Sequence, residues 1–575
     1  MKSTGRTSSK AVGNASPPGS SGALNEVGAQ ARRAPPRRKI GILFTSCVVP
    51  AASAVAALHL AGCWPLSYSE RCEDDARYCT PDGTGGGGGT TQPDPTCDVD
   101  PTQDPSAVRD QCAVFARAGA AAGGDGTKAS PYGSLADAIE NANGKRVLAC
   151  SSGEFKGSVT VGVAAEVIGG FDCDADWTWS AEAQSIIEGD ANKAALTLTK
   201  GASGAKLRSF KIVAADATVA GGSSIGVAVD DIDAELSSVA VVAGNGMDGA
   251  TGETPEGAQD GASAPASVSN ACVGPLAVFG GEPGTTECED GAVSSGGIGG
   301  LGGNLDMDDG NGQKGQDGTP LPAENPGGTG LGGAGQATAQ ANCARGGDGA
   351  DGAPGSPGEG GTETELTLAG PISGDGKRGT SGTRGQGGGG GGGTKAGLFC
   401  PAGPNTVEGV GASGGGGGAG GCGGKAGTGG KPGGSSIGIV SLGARLVLTD
   451  VTVTVGKAGI GGMGGDGRPG GNGGMGAAGG TASGKVGSKP GCPGGMGGVG
   501  GDGGPGGGGR GGHAVGIAYA VTPSQAPALS VVEGTAGLGG LVGLGSVGDP
   551  TASNGAPGVS GACWDFGAKT TCPQQ

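Results

Sequence analysis

Aromatic residues make up only 3% of this 575-residue chain: eight Phe, four Trp and four Tyr. Stacking platforms for sugars or bases are therefore scarce. Histidine is rarer, with two copies, and only His513 lies beyond the first 62 residues. Imidazole-based catalysis and metal ligation have little material here. Basic charge is also short: 36 Lys and Arg stand against 53 Asp and Glu, a net charge of −17. Nucleic acid is excluded as an expected partner, because binding it needs a basic footprint. The 16 cysteines contain no Cys-x-x-Cys pair, so no tight zinc cluster is offered. The Gly-rich loops lack the Lys-Ser/Thr ending of a phosphate cradle. No cofactor and no metal site is expected.

What is present is a repeat. Leu196-Thr197-Leu198 recurs as Ile225-Gly226-Val227, Ile437-Gly438-Ile439 and Val515-Gly516-Ile517. A second triplet travels with it: Phe210-Lys211-Ile212, Val239-Ala240-Val241, Val451-Thr452-Val453 and Leu529-Ser530-Val531. The offsets are 29, 212 and 78 for both triplets, so inserts of 183 and 49 residues interrupt a 29-residue repeat at one corner. Apolar residues at positions one and three predict strands with one buried face. A period of this length signals a solenoid. The expected fold is all-β: a right-handed parallel β-helix in which Leu196, Ile225, Ile437 and Val515 form one interior column. Phe210, Val239, Val451 and Leu529 form another, and Leu207, Leu236 and Leu448 precede it. In the fourth copy Ala526 lies near Pro523 and Pro527, as suits a terminal coil.

Upstream, Gly126-Thr127 and Ser130-Pro131-Tyr132-Gly133-Ser134-Leu135-Ala136-Asp137-Ala138-Ile139 resemble the opening of pectate-lyase-like right-handed β-helix proteins of unknown function. Ser134 is the expected N-cap of a short helix with Leu135, Ala138 and Ile139 on one face. Arg146–Cys150, Gly153–Val161 and Val167–Phe171 resemble the first-coil pattern of that group. The resemblance implies a fold and no particular chemistry.

Arg32, Arg33, Arg37, Arg38 and Lys39 precede the apolar run Ile40–Leu60, which ends in Leu60-Ala61-Gly62-Cys63. This order is that of a signal peptide. Its last four residues resemble the bacterial lipobox, which implies lipidation of Cys63 and a membrane partner through the N-terminal anchor. Trp64 in place of Asp leans towards the outer membrane. The expected location is extracytoplasmic, at the outer membrane or cell surface. Residues 64–111, rich in Asp, Pro, Thr and Gln, read as a tether.

Domain boundaries follow: 1–62 leader and signal, 63–118 lipidated linker, 119–244 cap and first coils, and 245–432 glycine-rich insert. Residues 433–456 form a coil, 457–510 a second insert, 511–534 a coil and 535–575 a Gly- and Cys-containing tail. Fourteen cysteines remain after Cys47 and Cys63 are set aside, an even number consistent with disulfides in an oxidising compartment. Local spacing suggests Cys72–Cys79, Cys97–Cys112, Cys150–Cys173, Cys272–Cys288 and Cys563–Cys572. Pairing among Cys343, Cys400, Cys422 and Cys492 is open.

Glycine supplies 141 residues, and its spacing matters more than its number. Gly376, Gly379, Gly382, Gly385, Gly388 and Gly391 are three apart, as are Gly415 through Gly433, Gly461 through Gly479 and Gly491 through Gly512. Three residues is the polyproline II period, which has no internal hydrogen bonds. Three alternatives stand: single-chain bundles of polyglycine-II segments, disorder, and collagen-like trimers. Proline is sparse and the runs are short and broken, so bundles are the reading adopted. Runs such as Gly461–Asp466 resemble the glycine-rich portion of PE-PGRS-type proteins, without a helical PE domain before it.

No catalytic set stands out. Lys211 with Asp230, Asp231 and Asp233 is the nearest to a pectate-lyase arrangement, and the three Asp share one turn. Asp172, Asp174 and Asp176 adjoin Trp177 and Trp179, and Gly346–Asp351 touches a calcium-repeat pattern without its tandem run. The expectation is a non-catalytic structural or adhesive surface lipoprotein, with a polysaccharide, matrix or cell-surface partner. The alternative is a carbohydrate-processing β-helix protein of lyase or hydrolase type.

Overall fold

The computed structural model describes residues 95–573 except 275–277, 363 and 546–550. The lipidation candidate Cys63 and the cysteines Cys72 and Cys79 lie outside the described residues. Strand β1 (Ala113–Ala116) leads to helix α1 (Leu135–Glu140), whose N-cap Ser134 accepts the Asp137 N–H through Oγ at 3.2 Å. Leu135, Ala138 and Ile139 are buried on one helix face. Short strands follow: β2 (Arg146–Cys150), β3 (Glu154–Lys156), β4 (Val159–Val161), β5 (Glu166–Asp172), β6 (Thr178–Trp179) and β7 (Ser185–Glu188). The repeat begins with β8 (Ala194–Leu198), β9 (Ala205–Val213), β10 (Ser224–Val229) and β11 (Ala234–Val242).

Three antiparallel hairpins decorate the long insert: β12 (Thr285–Glu287) with β13 (Val293–Ser295), β14 (Thr364–Thr367) with β15 (Gly370–Ser373), and β16 (Gly397–Ala402) with β17 (Asn405–Gly409). The repeat resumes in β18 (Ser436–Ser441), β19 (Leu446–Thr449), β20 (Val451–Thr454), β21 (Ala514–Tyr519) and β22 (Leu529–Val532). The described chain ends with β23 (Ser560–Asp565) and β24 (Thr570–Thr571).

The fold is all-β, with parallel sheets. One sheet runs β1-β2-β5-β9-β11-β20-β22 and the other β24-β23-β21-β18-β10-β8-β4. Successive repeat strands alternate between the two, and their side chains meet in one core. Phe210, Ile212, Val239, Val241, Val451 and Val453 come from the first sheet, and Leu198, Val229 and Ile439 from the second. Burying each such side chain contributes about 1.5–3 kcal/mol. The second triplet stacks in register: Phe210 opposite Val239, Ala240 opposite Thr452, and Val451 opposite Leu529. Its middle residues, Lys211, Thr452 and Ser530, are exposed, as a period of two requires. Leu207, Leu236 and Leu448 also stack in register, all buried.

The first triplet behaves differently. Ile225 faces Ile437 and Ile437 faces Val515, but Leu196 lies opposite Val227, two residues along, and Ala194 takes the place opposite Ile225. Strands β10, β18 and β21 are buried along their whole length rather than on one face. Val227, Ile439 and Ile517 join the main core. Ile225, Ile437 and Val515 pack in a separate apolar cluster, against Leu366 of β14 and Phe566. The middle glycines face the opposite sheet: a Cβ on Gly226 would strike Val241, and one on Gly438 would strike Val453. Glycine is there to let the two sheets approach. Residues 560–565, placed by sequence in the tail, form β23 and pair with β21.

The glycine-rich segments extend the same stack. Gly430 and Gly433 donate to Gly507 and Arg510 at 2.9 and 2.8 Å, and Ser436 donates to His513 at 2.8 Å as β18 begins beside β21. The register is carried from ladder into sheet without a break. At the centre, Gly388, Gly389 and Gly390 donate to Gly418, Gly347 and Gln316, three different segments. Their carbonyls accept from Gly297, Gly495 and Gly333, three more. The pattern then repeats, with Gly391, Gly392 and Gly393 donating to Gly415, Ala344 and Gln313. Residues 387–393 are all buried. Of the three alternatives for these segments, the structure has a packed single-chain bundle.

Candidate functional site

Burial without side chains forces this arrangement. Ordering each backbone residue costs about 1–2 kcal/mol, and a net hydrogen bond returns about 0.5–1.5 kcal/mol. A bundle of glycine therefore closes only when its buried N–H groups find acceptors and no Cβ holds the segments apart. Added at Gly390, a Cβ would collide with the carbonyl of Ile298; added at Gly417, with that of Gly388. In the outer segments one residue in each period of three points outwards and carries the side chain, as Met463 and Met475 do.

Those side chains form a lattice. Gly249 and Gly252 donate to the carbonyls of Ile460 and Met463 at 2.8 and 2.7 Å. Gly461, Gly464 and Gly467 donate to Leu538, Leu541 and Leu544, each at 2.9 Å. Three layers are thus held in register, with rows Asp248/Ile460/Leu538, Thr251/Met463/Leu541 and Thr254/Asp466/Leu544. Polar side chains lock the layers. Asp248 and Asp260 accept the N–H groups of Ile460 and Asn472, both at 2.7 Å, Ser263 that of Met475 at 3.0 Å, and Asn270 that of Thr481 at 2.8 Å. Asp348 and Asp351 do the same for Met496 and Val499 at 2.7 and 2.8 Å. The Gly346–Asp351 and Gly461–Asp466 patterns therefore use their carboxylates as layer staples. Sequence reasoning missed this role; the signal was a polar residue recurring in the glycine period.

Disulfides pin the same lattice. The structure joins Cys97 to Cys112, Cys150 to Cys173 and Cys563 to Cys572. Cys272 and Cys288 are not bonded to each other, which corrects the pairing expected from their spacing. Cys272 bonds Cys400, Cys288 bonds Cys422 and Cys343 bonds Cys492, across 128, 134 and 149 residues. The hydrogen-bonded register of the lobe brings distant segments together, so proximity in sequence is a poor guide to pairing there. At the Cys272–Cys400 bridge a cavity of about 550 Å³ is lined by Leu305, Val407, Val410, Asp306 and Glu408.

The other candidates separate. Asp174 pairs with Arg117 and Asp176 with Lys128, both at 3.0 Å. Asp172 accepts the Asp174 N–H at 3.0 Å, while Trp177 packs edge-on against Phe115 at 4.7 Å. Arg445 forms exposed ion pairs with Asp231 and Asp233 at 3.4 and 3.2 Å. Lys211 is exposed on the first sheet, opposite Ile186 and Ala240. Among the described residues no group of three or more His, Cys, Asp or Glu is arranged to hold a metal ion. No helix there is long and apolar enough to cross a membrane.

His513 is 1% exposed; its Nδ1 accepts the Val559 N–H at 3.2 Å and its Nε2 has no partner. Burial, with a smaller contribution from the charge of Arg510, pushes its pKa down to about 3, so the imidazole is neutral. Arg208 pairs with Asp100 in a bidentate arrangement at 2.6 and 3.0 Å. The guanidinium hydrogen bonds hold the Asp100 carboxyl well below the usual range, helped by Thr102. This pair clamps the segment before β1 onto the outer face of the first sheet. Comparison with protein-family models, curated proteins and solved structures found no match.

Proposed function

We propose that this chain is a non-catalytic surface lipoprotein, anchored through Cys63, that presents glycine-rich lobes as a structural or adhesive face. In this reading the two alternating parallel sheets are the walls of a right-handed parallel β-helix. The lobes are polyglycine-II bundles: a three-residue donor period shared among six neighbours is what that helix needs, having no internal bonds. The observation that carries the reading is the three-layer lattice of outward side chains, Asp248/Ile460/Leu538 and the rows beside it. Its layers are fixed by backbone ladders and carboxylate staples. A rigid face presents side chains without further ordering cost on binding, which is what an adhesive surface requires. The Pro-, Gly- and Asp-rich stretch after Cys63 serves as a tether between membrane and scaffold.

Two experiments test it. Metabolic labelling with an alkynyl fatty acid should mark the chain and fail on Cys63→Ser. The oxidised full chain should be retained on immobilised polysaccharide, matrix protein or whole cells, and the Cys288→Ser/Cys422→Ser variant should be retained less. Depolymerisation of an offered polysaccharide, abolished by Lys211→Ala, would instead establish an enzyme.

A further inference from the structure

Segments 459–480 and 491–512 run side by side through the lobe, and one short excursion joins them. Its neck is closed: Gly480 donates to Ser413 and Gly491 to Gly480, both at 2.8 Å. The shoulders are anchored too. Ser483 donates through Oγ to the Phe399 carbonyl at 2.8 Å, and Lys489 through Nζ to the Gln340 and Ala341 carbonyls at 3.0 and 2.6 Å. Beyond these anchors only the tip, Gly484-Lys485-Val486-Gly487-Ser488, leaves the bundle. Val486 is 99% exposed, the most open of the large apolar residues described. A Cβ on Gly484 or Gly487 would meet nothing within 4 Å.

The tip has the chemistry of a cleavage site. Exposed loop tips of small residues are where folded chains are nicked. Among the described residues no ion pair holds the Lys485 side chain, and no Asp or Glu occurs between Asp466 and Asp502. An acidic specificity pocket therefore meets a free ammonium with no carboxylate beside it in sequence. Surface hydrogen bonds shape the tip: Ser488 N–H to the Lys485 carbonyl at 3.1 Å, and Ser483 and Lys485 N–H to the Ser488 and Ser483 hydroxyls at 2.9 and 3.4 Å. These must open for the chain to extend into a cleft. The flanking glycines, at φ of +75° and +91°, permit that change. Lys489 is no rival, because Pro490 follows it and supplies no N–H. Lys200 and Lys569 also sit at turns, but both are held. A Cβ on Gly201 would strike the Gly162 carbonyl, and Thr570 is paired in the β23–β24 ladder.

We propose that Lys485–Val486 is the bond at which a protease specific for basic residues converts the native chain into a two-chain form held by Cys343–Cys492. Water adds at the Lys485 carbonyl, which becomes a carboxylate. The Val486 nitrogen takes a proton and leaves as the new amino terminus. The bridge is placed for this outcome. Among the described disulfides it alone joins the two sides of the cut, since the other five each lie wholly on one side. Cys492 is also the first cysteine after the cut. Backbone ladders hold the same segment: Gly494, Gly497 and Gly500 donate to Ala477, Gly474 and Gly471 at 3.0, 2.9 and 2.8 Å. Breaking one peptide bond outside the neck leaves these ladders whole.

The test is brief trypsin digestion of the oxidised full chain, read by amino-terminal sequencing and by gel electrophoresis in detergent. Within residues 95–573 the first new terminus should be Val486, and Lys485→Gln should lose that cut. The products should run together without thiol and separate with it, whereas those of Cys343→Ser/Cys492→Ser should separate without it. Amide exchange of 491–512 should be the same before and after nicking. Chain recovered from the cells that make it should carry Val486 as a second amino terminus. A first cut elsewhere in 95–573, a cut that survives Lys485→Gln, or products that separate without thiol in the unsubstituted chain would each overturn the proposal. So would lost protection in 491–512 after nicking, or recovered chain without the Val486 terminus.

Discussion

The carboxylate of Asp248 accepts the backbone N–H of Ile460 at 2.7 Å, across 212 residues of sequence. That separation is the offset between the second and third copies of the strand triplets, Val239 to Val451. The scaffold register is thus propagated out into the glycine-rich lobe. Removing one such staple, as in Asp248→Ala, should cost about 0.5–1.5 kcal/mol at most, because water replaces an exposed acceptor. Removing Asp248, Asp260 and Ser263 together should speed amide exchange at Ile460, Asn472 and Met475 while β9 and β11 stay protected. Peptide-resolved hydrogen exchange measures both.

Glycine positions should divide sharply. Gly390→Ala places a methyl against the Ile298 carbonyl inside a buried run and should destabilise by about 1–3 kcal/mol. Gly257→Ala meets nothing within 4 Å and should be neutral or stabilising by up to about 1 kcal/mol, through the unfolded chain. Thermal melting of the two variants decides; equal losses would mean that lobe packing does not set stability.

Loop length ranks the disulfides. Cys288–Cys422 spans 134 residues and Cys563–Cys572 spans 9. Chain-entropy arguments give about 5 and about 3 kcal/mol respectively as the stabilisation lost on opening each. Replacing both cysteines of each pair by Ser and comparing denaturant midpoints should reproduce that order.

Acid should act through His513 first. Its folded pKa lies near 3 against an ordinary 6.5, so below pH 6.5 the unfolded chain binds a proton that the folded chain refuses. Stability should therefore fall as pH drops from 6.5 towards 3, by up to about 1.4 kcal/mol per pH unit. Between pH 6.5 and 4.5 most carboxylates stay ionised, and His513→Gln should flatten the slope there. The depressed Asp100 adds a separate loss below its ordinary value of 3.8, as its ion pair with Arg208 is protonated away. Urea melts at stepped pH separate the two.

Sequence made the strand stack visible because apolar residues such as Phe210 and Ile212, or Val451 and Val453, flank an exposed Lys211 or Thr452. It misplaced Leu196, which pairs with Val227 rather than Ile225. A two-residue slip keeps every side chain on its own face, so hydrophobic pattern cannot detect it. The interior role of Gly226 and Gly438 was equally invisible, since an absent side chain leaves no pattern. Cys272 and Cys288 were paired by nearness, whereas their partners Cys400 and Cys422 are chosen by ladder register. The glycine period showed in the chain; whether it packs depends on the N–H groups of residues such as Gly388–Gly390 meeting three distant segments while their carbonyls meet three more.

The central claim is that the glycine-rich segments are bonded lobes continuous with the sheets. Peptide-resolved amide exchange of the oxidised chain tests it most directly. Protection across 376–433 and 457–512 approaching that of 205–242 is the predicted result. Exchange in those two segments at the rate of a free peptide, with 205–242 still protected, would contradict it.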